Sequence, residues 1–159
     1  MESLIKYSVS IYTCIWLIIT NLVGIYPFII LLKYNYLIGA IITFLAMVFS
    51  ILWHINEHQS GCKIFVLSDI FFGSALFVYC VYLFLNVNNI LAIKLIFPTI
   101  AIVCLIMSKI VQMTNYGYRL VGDNIEPVYA FFHTIWHVLA FLTVVVMMPE
   151  NKAFYPYLI

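Results

Sequence analysis

The sequence predicts an all-α, polytopic transmembrane helix bundle of about five spans, on the strength of its apolar content and the lengths of its apolar runs. Of its 159 residues, 66% are apolar or aromatic and 8% are charged, whereas soluble domains average about 45–50% and 25%. A soluble core of this size cannot hide so much apolar surface. We therefore expect an integral, multi-pass membrane protein, and the sequence leaves open whether it resides in an endomembrane or the plasma membrane.

The five spans follow from the spacing of polar clusters along the chain. A helix needs about 20 apolar residues to cross a hydrocarbon core of about 30 Å. The expected spans cover approximately residues 9–32, 36–56, 64–85, 90–107 and 128–148 of one domain, 1–159. Pro27 and Pro98 are expected to kink the first and fourth spans, and Pro127 to open the fifth as its first residue. The stretch 109–126 is expected to be the longest loop.

Net charge limits the kinds of partner that the chain can bind, and cysteine spacing limits the roles of its thiols. The net charge is +1 and no basic run is present, so no nucleic-acid partner is expected. Cys14, Cys62, Cys80 and Cys104 lie far apart without paired spacing, which favours buried thiols over a disulfide framework or a cysteine zinc site. The expected partners are membrane lipids, with homo-oligomerisation left open.

The few ionisable side chains within the spans are grouped near one membrane face. Each costs about 2.5–3.5 kcal/mol at the bilayer centre, so such residues are functional candidates. Alternation of the spans brings the end of the second and the starts of the third and fifth to the same side, within roughly 5–15 Å of that surface. The residues concerned are Ser50, His54, Asp69, His133 and His137.

Helical spacing lets these side chains converge on one point. His133 and His137 are four residues apart, as are Ser50 and His54, and residues at this spacing share a helix face. Neutral imidazole is a common zinc ligand, and three histidines leave a fourth tetrahedral position for water. We therefore expect a metal site formed by His54, His133 and His137.

Each residue also has a plain structural interpretation when taken alone. Ser50 could bond only to its own helix backbone, Asp69 could pair with Lys63 at the interface, and His58 could be a solvated histidine in a polar turn. A lone His-x-x-x-His pair is often hydrogen-bonded to neighbouring side chains. The metal site is favoured because the intramembrane histidines share one depth with the only acidic residue well inside a span.

The order of these residues resembles the CREST superfamily, which contains alkaline ceramidases, adiponectin and progestin receptor-type proteins, GPI-lipid-remodelling hydrolases and myomaker-like proteins. Residues 50–54 resemble its serine–histidine motif, Asp69 within 67–74 its aspartate motif, and 133–137 its His-x-x-x-His motif. The likeness runs from the second span to the fifth and looks closest to the myomaker-like and GPI-remodelling branches. The family has seven spans, and only 63 residues separate Asp69 from His133 here, so this chain resembles a shortened, five-span form.

The resemblance implies a zinc-dependent intramembrane hydrolase. Zinc would be held by His54, His133 and His137, with Asp69 and Ser50 as the catalytic residues that position the metal-bound water. Zinc brings the pKa of such a water toward about 7, and the resulting hydroxide can attack a lipid amide or ester carbonyl. The substrate implied is a sphingolipid-like membrane lipid, and Asp69 would shuttle the proton.

Two other functions remain open from the sequence. The myomaker-like resemblance also fits a non-catalytic, receptor-like or membrane-remodelling protein with a structural metal site. A membrane bundle can also ligate haem through histidines from two helices, although histidines near a single face would allow at most one haem. Whether the chain is an enzyme is therefore uncertain at this stage.

Overall fold

All regular secondary structure in the described residues is helical, as the sequence predicts. The computed structural model describes residues 9–57, 63–86, 92–117 and 125–148. The helices are α1 (Ile11–Asn21), α2 (Ile25–Lys33), α3 (Leu37–Glu57), α4 (Lys63–Leu85), α5 (Ala92–Gly117) and α6 (Ile125–Val146), with a 3-10 turn, Leu22–Gly24, between α1 and α2. Five helical stretches, α1 and α2 forming one, are long and apolar enough to cross a membrane. The chain is therefore a multi-pass, all-α membrane protein.

The first span is interrupted just before its proline. The 3-10 turn Leu22–Gly24 ends three residues before Pro27, whose ring lacks an N–H and crowds the carbonyl four residues earlier. A Cβ on Gly24 would lie 2.9 Å from the Phe141 ring and 3.2 Å from Cβ of Met47. The glycine therefore lets the interrupted span approach α3 and α6 closely.

Two helices, those of the fourth and fifth spans, extend beyond the expected span boundaries. Helix α5 continues to Gly117, ten residues beyond its expected end, because residues 108–116 contain neither proline nor glycine and a helix can extend past the hydrocarbon core. Helix α6 begins at Ile125 rather than at Pro127, which the first turn accommodates because its N–H groups have no helical partner there. The expected loop is therefore helical over 109–117 and 125–126. Pro98 lies within α5, which runs through it without interruption.

The helices pack in an open ring. Helix α3 packs against α1, α2 and α4, while α6 packs against α1, α2 and α5. The order around the ring is therefore α4, α3, α1 with α2, α6 and α5. Within the described residues α4 and α5 are not paired with each other, and α4 only touches α6. This leaves a slot between α4 and α5 on the outside of the bundle.

Apolar packing and buried thiols fill the interior beside that slot. The core joins Met47 of α3, Leu76 and Tyr79 of α4, and Phe141 and Val144 of α6. Three cysteines, Cys14, Cys80 and Cys104, are buried and unbridged, as the sequence predicts, whereas Cys62 lies outside the described residues.

Candidate metal centre

Three histidines from α3 and α6 meet inside the bundle. His54 lies in the last turn of α3, and His133 and His137 lie in the third and fourth turns of α6. Their side chains are 0%, 6% and 4% exposed. The ring centroid of His54 is 5.2 Å from each of the other two rings, which are 4.5 Å apart. One ring nitrogen from each histidine lies within 4.8 Å of the other two. Three buried histidines are thus close enough to bind a metal ion.

The tautomer of His54 is set by an acidic neighbour on its own helix. Oε2 of Glu57 lies 2.8 Å from Nδ1 of His54, and both side chains are buried. Because a carboxylate only accepts hydrogen bonds, Nδ1 carries the proton and donates it. The lone pair then resides on Nε2, a buried atom with no hydrogen-bond partner among the described residues.

Ser108 of α5 fulfils the same role for His133. Its hydroxyl donates to the carbonyl oxygen of Leu105 at 2.8 Å, so only its lone pairs remain for Nδ1 of His133, 3.4 Å away. Nδ1 of His133 therefore donates to the serine, and Nε2 is again the free nitrogen.

His137 has two neighbours on α1 that support different tautomers. The hydroxyl of Thr20 donates to the carbonyl of Leu17 at 2.9 Å and can accept from Nδ1 of His137 at 3.2 Å. Nδ2 of Asn21 lies 3.1 Å from the same Nδ1 and could donate to it only if the proton were on Nε2. The Thr20 pairing would leave the lone pair of His137 on Nε2 for a cation, whereas the Asn21 pairing places the proton on Nε2, which lies 3.5 Å from Oγ of Ser50.

The donor set suits a metal ion held by imidazole nitrogens. With every Nδ1 engaged outward, the Nε2 atoms are the nitrogens that can face a common point, and neutral imidazole held by an outer acceptor is the usual form of a metal-ligating histidine. Three nitrogens on one zinc ion lie about 3.4 Å apart. The separation of up to 4.8 Å between the ligand atoms is about 1.4 Å longer than this, so the rings would have to draw closer to bind one ion.

The two further residues singled out from the sequence adjoin the histidines. Oγ of Ser50 lies 3.5 Å from Nε2 of His137, and the Asp69 carboxylate hydrogen-bonds with the Ser50 side chain and interacts electrostatically with His54. Among the described residues Asp69 forms no ion pair with Lys63 of the kind considered from the sequence. The lysine whose charge acts on Asp69 is Lys109 of α5. The structure thus brings together all five candidate site residues, while His58 lies outside the described residues.

The sequence analysis did not single out the residues that contact the histidines on the side away from the candidate ion. Tyr129 donates to Oε1 of Glu57 at 3.3 Å, and its ring stacks on His133 with centroids 5.1 Å apart. Glu57 follows His54 by three residues and Tyr129 precedes His133 by four, so helical spacing could have found both. No local signal marks Thr20 or Ser108, since each reaches its histidine from a different helix.

A cavity of about 190 Å³ lies beside α4 and α5, and His137 is the one of the three histidines that lines it. Ser50, Asp69 and His137 contribute polar groups to its wall, which is otherwise mainly apolar. Phe77 of α4 and Ile102 of α5 line it and are also exposed on the outer surface. The cavity therefore reaches from His137 to residues on the outside of the bundle.

The close packing of the three rings argues against a haem. Each imidazole contacts the other two in a steeply inclined, edge-on arrangement. Two histidines that ligate one haem stand on opposite faces of the macrocycle. These contacts leave no gap in which a macrocycle could lie between any two of the rings.

Comparison of the chain with protein-family models, with curated proteins and with solved structures finds no match.

Proposed function

We propose that this chain is a zinc-dependent intramembrane hydrolase that cleaves a lipid amide or ester, the activity implied by its resemblance to the CREST superfamily. The observation that carries the proposal is the set of three imidazoles whose Nδ1 atoms have outer hydrogen-bond partners, beside an aspartate and a serine. Such a constellation at the end of an apolar cavity is suited to hydrolysis at a lipid carbonyl.

The ligands would be His54, His133 and His137, with a fourth coordination position left open. Zinc in such a site supplies a Lewis acid for the carbonyl and makes a coordinated water more acidic. The carboxylate of Glu57, 2.8 Å from Nδ1 of His54, would offset part of the positive charge of the ion in a low-dielectric interior. A buried dication without such partners would be strongly disfavoured.

Asp69 is the proton carrier in this proposal. The oxygen of the attacking water bonds to the carbonyl carbon while the Asp69 carboxylate accepts its proton. The bond from that carbon to nitrogen, or to oxygen in an ester, then breaks, and the leaving atom takes the electron pair and the proton from Asp69. Ser50, hydrogen-bonded to the carboxylate, orients it. General acid–base catalysis of this kind contributes about 10²- to 10⁴-fold.

The cavity and the slot together suit a lipid substrate. A volume of about 190 Å³ is below the roughly 300–1,000 Å³ typical of sites that enclose a drug-sized ligand. The cavity would therefore hold only part of a long acyl chain, and the rest would extend between α4 and α5 into the bilayer. A chain with five spans could hold a lipid in this partly enclosed way, whereas the seven spans of the CREST superfamily would surround it.

The test is hydrolysis by the zinc-loaded protein in detergent, with ceramide and an ester of the same acyl chain as substrates. Asp69→Asn should lower turnover at least about 100-fold while the zinc content stays at the wild-type level. Ser74→Ala, an exposed position on the same helix, is the matched control and should change neither. Bound zinc without turnover of any lipid would instead indicate a structural metal site in a receptor-like or membrane-remodelling protein.

A further inference from the structure

Thr20 and Asn21 of α1 make competing contacts with one ring nitrogen of His137. Oγ of Thr20 lies 3.2 Å from Nδ1 of His137, and Nδ2 of Asn21 lies 3.1 Å from the same atom. All three residues are buried, so water does not compete for these contacts. A neutral imidazole carries one proton, either on Nδ1 or on Nε2. The tautomer of His137 therefore decides which of the two neighbours it bonds.

Contacts with the backbone of α1 fix the role that each neighbour can take. Oγ of Thr20 and Nδ2 of Asn21 each lie 2.9 Å from the carbonyl oxygen of Leu17. The Thr20 hydroxyl donates its only proton to that carbonyl, so it can only accept from His137. The amide nitrogen of Asn21 keeps a second N–H, so it can only donate to His137. Thr20 therefore pairs with a protonated Nδ1, and Asn21 pairs with an unprotonated one.

The hydrogen bonds on the opposite side of the ring favour the Asn21 pairing. Oγ of Ser50 lies 3.5 Å from Nε2 of His137, and the Ser50 side chain also hydrogen-bonds with Asp69. Because a carboxylate only accepts, Ser50 gives its single proton to Asp69 and accepts from Nε2 of His137. The protein's own hydrogen bonds thus favour the proton on Nε2, where it occupies the lone pair that a metal ion would need.

We infer that Thr20 and Asn21 form a tautomer switch for His137, in which Asn21 opposes metal uptake and Thr20 supports it. The inference rests on the metal site of the proposed function and concerns how readily that site is filled. To ligate through Nε2, His137 has to release the proton there and take one up on Nδ1, so the charge of the ring is unchanged. Thr20 then accepts from Nδ1, and the hydrogen bonds from Asn21 and to Ser50 are lost. Asn21 is thus a positioning residue that lowers the metal affinity and makes binding easier to reverse.

The switch predicts effects of opposite sign for two adjacent residues, whereas a role in packing alone predicts a loss of affinity for both. Asn21→Leu removes the N–H donor and should raise the zinc affinity about three- to tenfold, the size of one buried hydrogen bond. Thr20→Val removes the acceptor for the Nδ1 proton and should lower it. Competition with a chromophoric chelator on the purified full chain measures both changes.

Asn86→Leu is the matched control for the loss of a side-chain amide. Nδ2 of Asn86 also donates to a carbonyl four residues earlier, that of Tyr82 at 2.7 Å, but Asn86 lies just beyond the end of α4 and is exposed. Its zinc affinity should equal that of the wild type. An unchanged or reduced affinity in Asn21→Leu would overturn the inference, and so would an equal rise in Asn86→Leu.

A second measurement uses the wild-type chain and does not depend on the folding of Asn21→Leu. Nitrogen NMR of protein with isotope-labelled histidine distinguishes protonated from unprotonated ring nitrogens, and comparison with His137→Gln identifies the signals of His137. We expect Nδ1 of His137 to be unprotonated in the zinc-free protein and protonated after zinc is added. A protonated Nδ1 in both forms would overturn the inference.

Failure of the proposed hydrolase gives a different result from failure of the switch. A change of tautomer on zinc binding, in a protein that hydrolyses no lipid, would support the switch and reject the hydrolase. Zinc-dependent turnover with an unchanged tautomer would retain the hydrolase and reject the switch. A chain that takes up no zinc would overturn the metal site and the switch together.

Discussion

The carboxylate of Glu57 and the imidazole of His54 form a buried pair, with Oε2 2.8 Å from Nδ1. The pair holds the ring orientation, fixes the proton on Nδ1 and supplies a negative charge next to the ion site. Glu57→Gln keeps an acceptor but removes the charge, so the zinc affinity should fall about 10- to 100-fold, as it does when outer partners of metal ligands are lost. Competition with a chromophoric chelator measures the change, and wild-type affinity in Glu57→Gln would refute the assignment.

Substitution of Tyr129 should affect zinc binding through Glu57, but less strongly. Tyr129→Phe removes the hydrogen bond to Glu57 but keeps the ring that stacks on His133. Because the carboxylate and its charge remain, we expect a loss of zinc affinity of only a few-fold, smaller than for Glu57→Gln. A loss larger than that of Glu57→Gln would mean that Tyr129 acts on the site by another route.

The hydroxyls of Thr20 and Ser108 should raise the zinc affinity, because each orients a ligating histidine. Thr20→Val and Ser108→Ala each remove the acceptor for one Nδ1 proton, so each should weaken zinc binding about tenfold. Thr143→Val is the matched control, because the Thr143 hydroxyl is buried and bonds only to the carbonyl of Leu139. If all three variants bound zinc with equal affinity, the hydroxyls would not set the tautomers.

Filling the cavity should block hydrolysis without loss of metal. Ala101 of α5 is buried and lines the cavity, so the ring introduced by Ala101→Phe would occupy the space assigned to the acyl chain. We expect lipid turnover to fall at least about tenfold with zinc content unchanged. Ile106→Phe alters an exposed position of the same helix and should leave turnover intact; unimpaired turnover in Ala101→Phe would exclude this cavity as the substrate site.

Much of this arrangement could be predicted from the sequence because it depends on depth and helical spacing. The apolar runs define five spans, and alternation brings His54 to the same side as His133 and His137. The four-residue spacing of His133 and His137 then places both on one face of α6. Glu57 is not singled out from the sequence, although it lies in the last turn of α3 and its three-residue spacing from His54 would have revealed the pair.

The rest depends on how each helix is rotated about its own axis. In a membrane protein the lipid-facing and core-facing residues are both apolar, so hydropathy does not mark the buried face. Thr20 and Asn21 could not be assigned to His137 until α1 was placed against α6. The slot between α4 and α5 and the extension of α5 to Gly117 likewise follow from the packing and not from the apolar runs.

The central claim is that His54, His133 and His137 bind one zinc ion, and metal analysis of the purified protein tests it most directly. We predict about one zinc per chain, abolished by His54→Ala and by His137→Ala. His58→Ala is the matched control and should retain the zinc, since the sequence places this histidine in a polar turn. A protein that takes up no zinc on reconstitution near pH 7, or a His54→Ala variant with its full zinc content, would contradict the account.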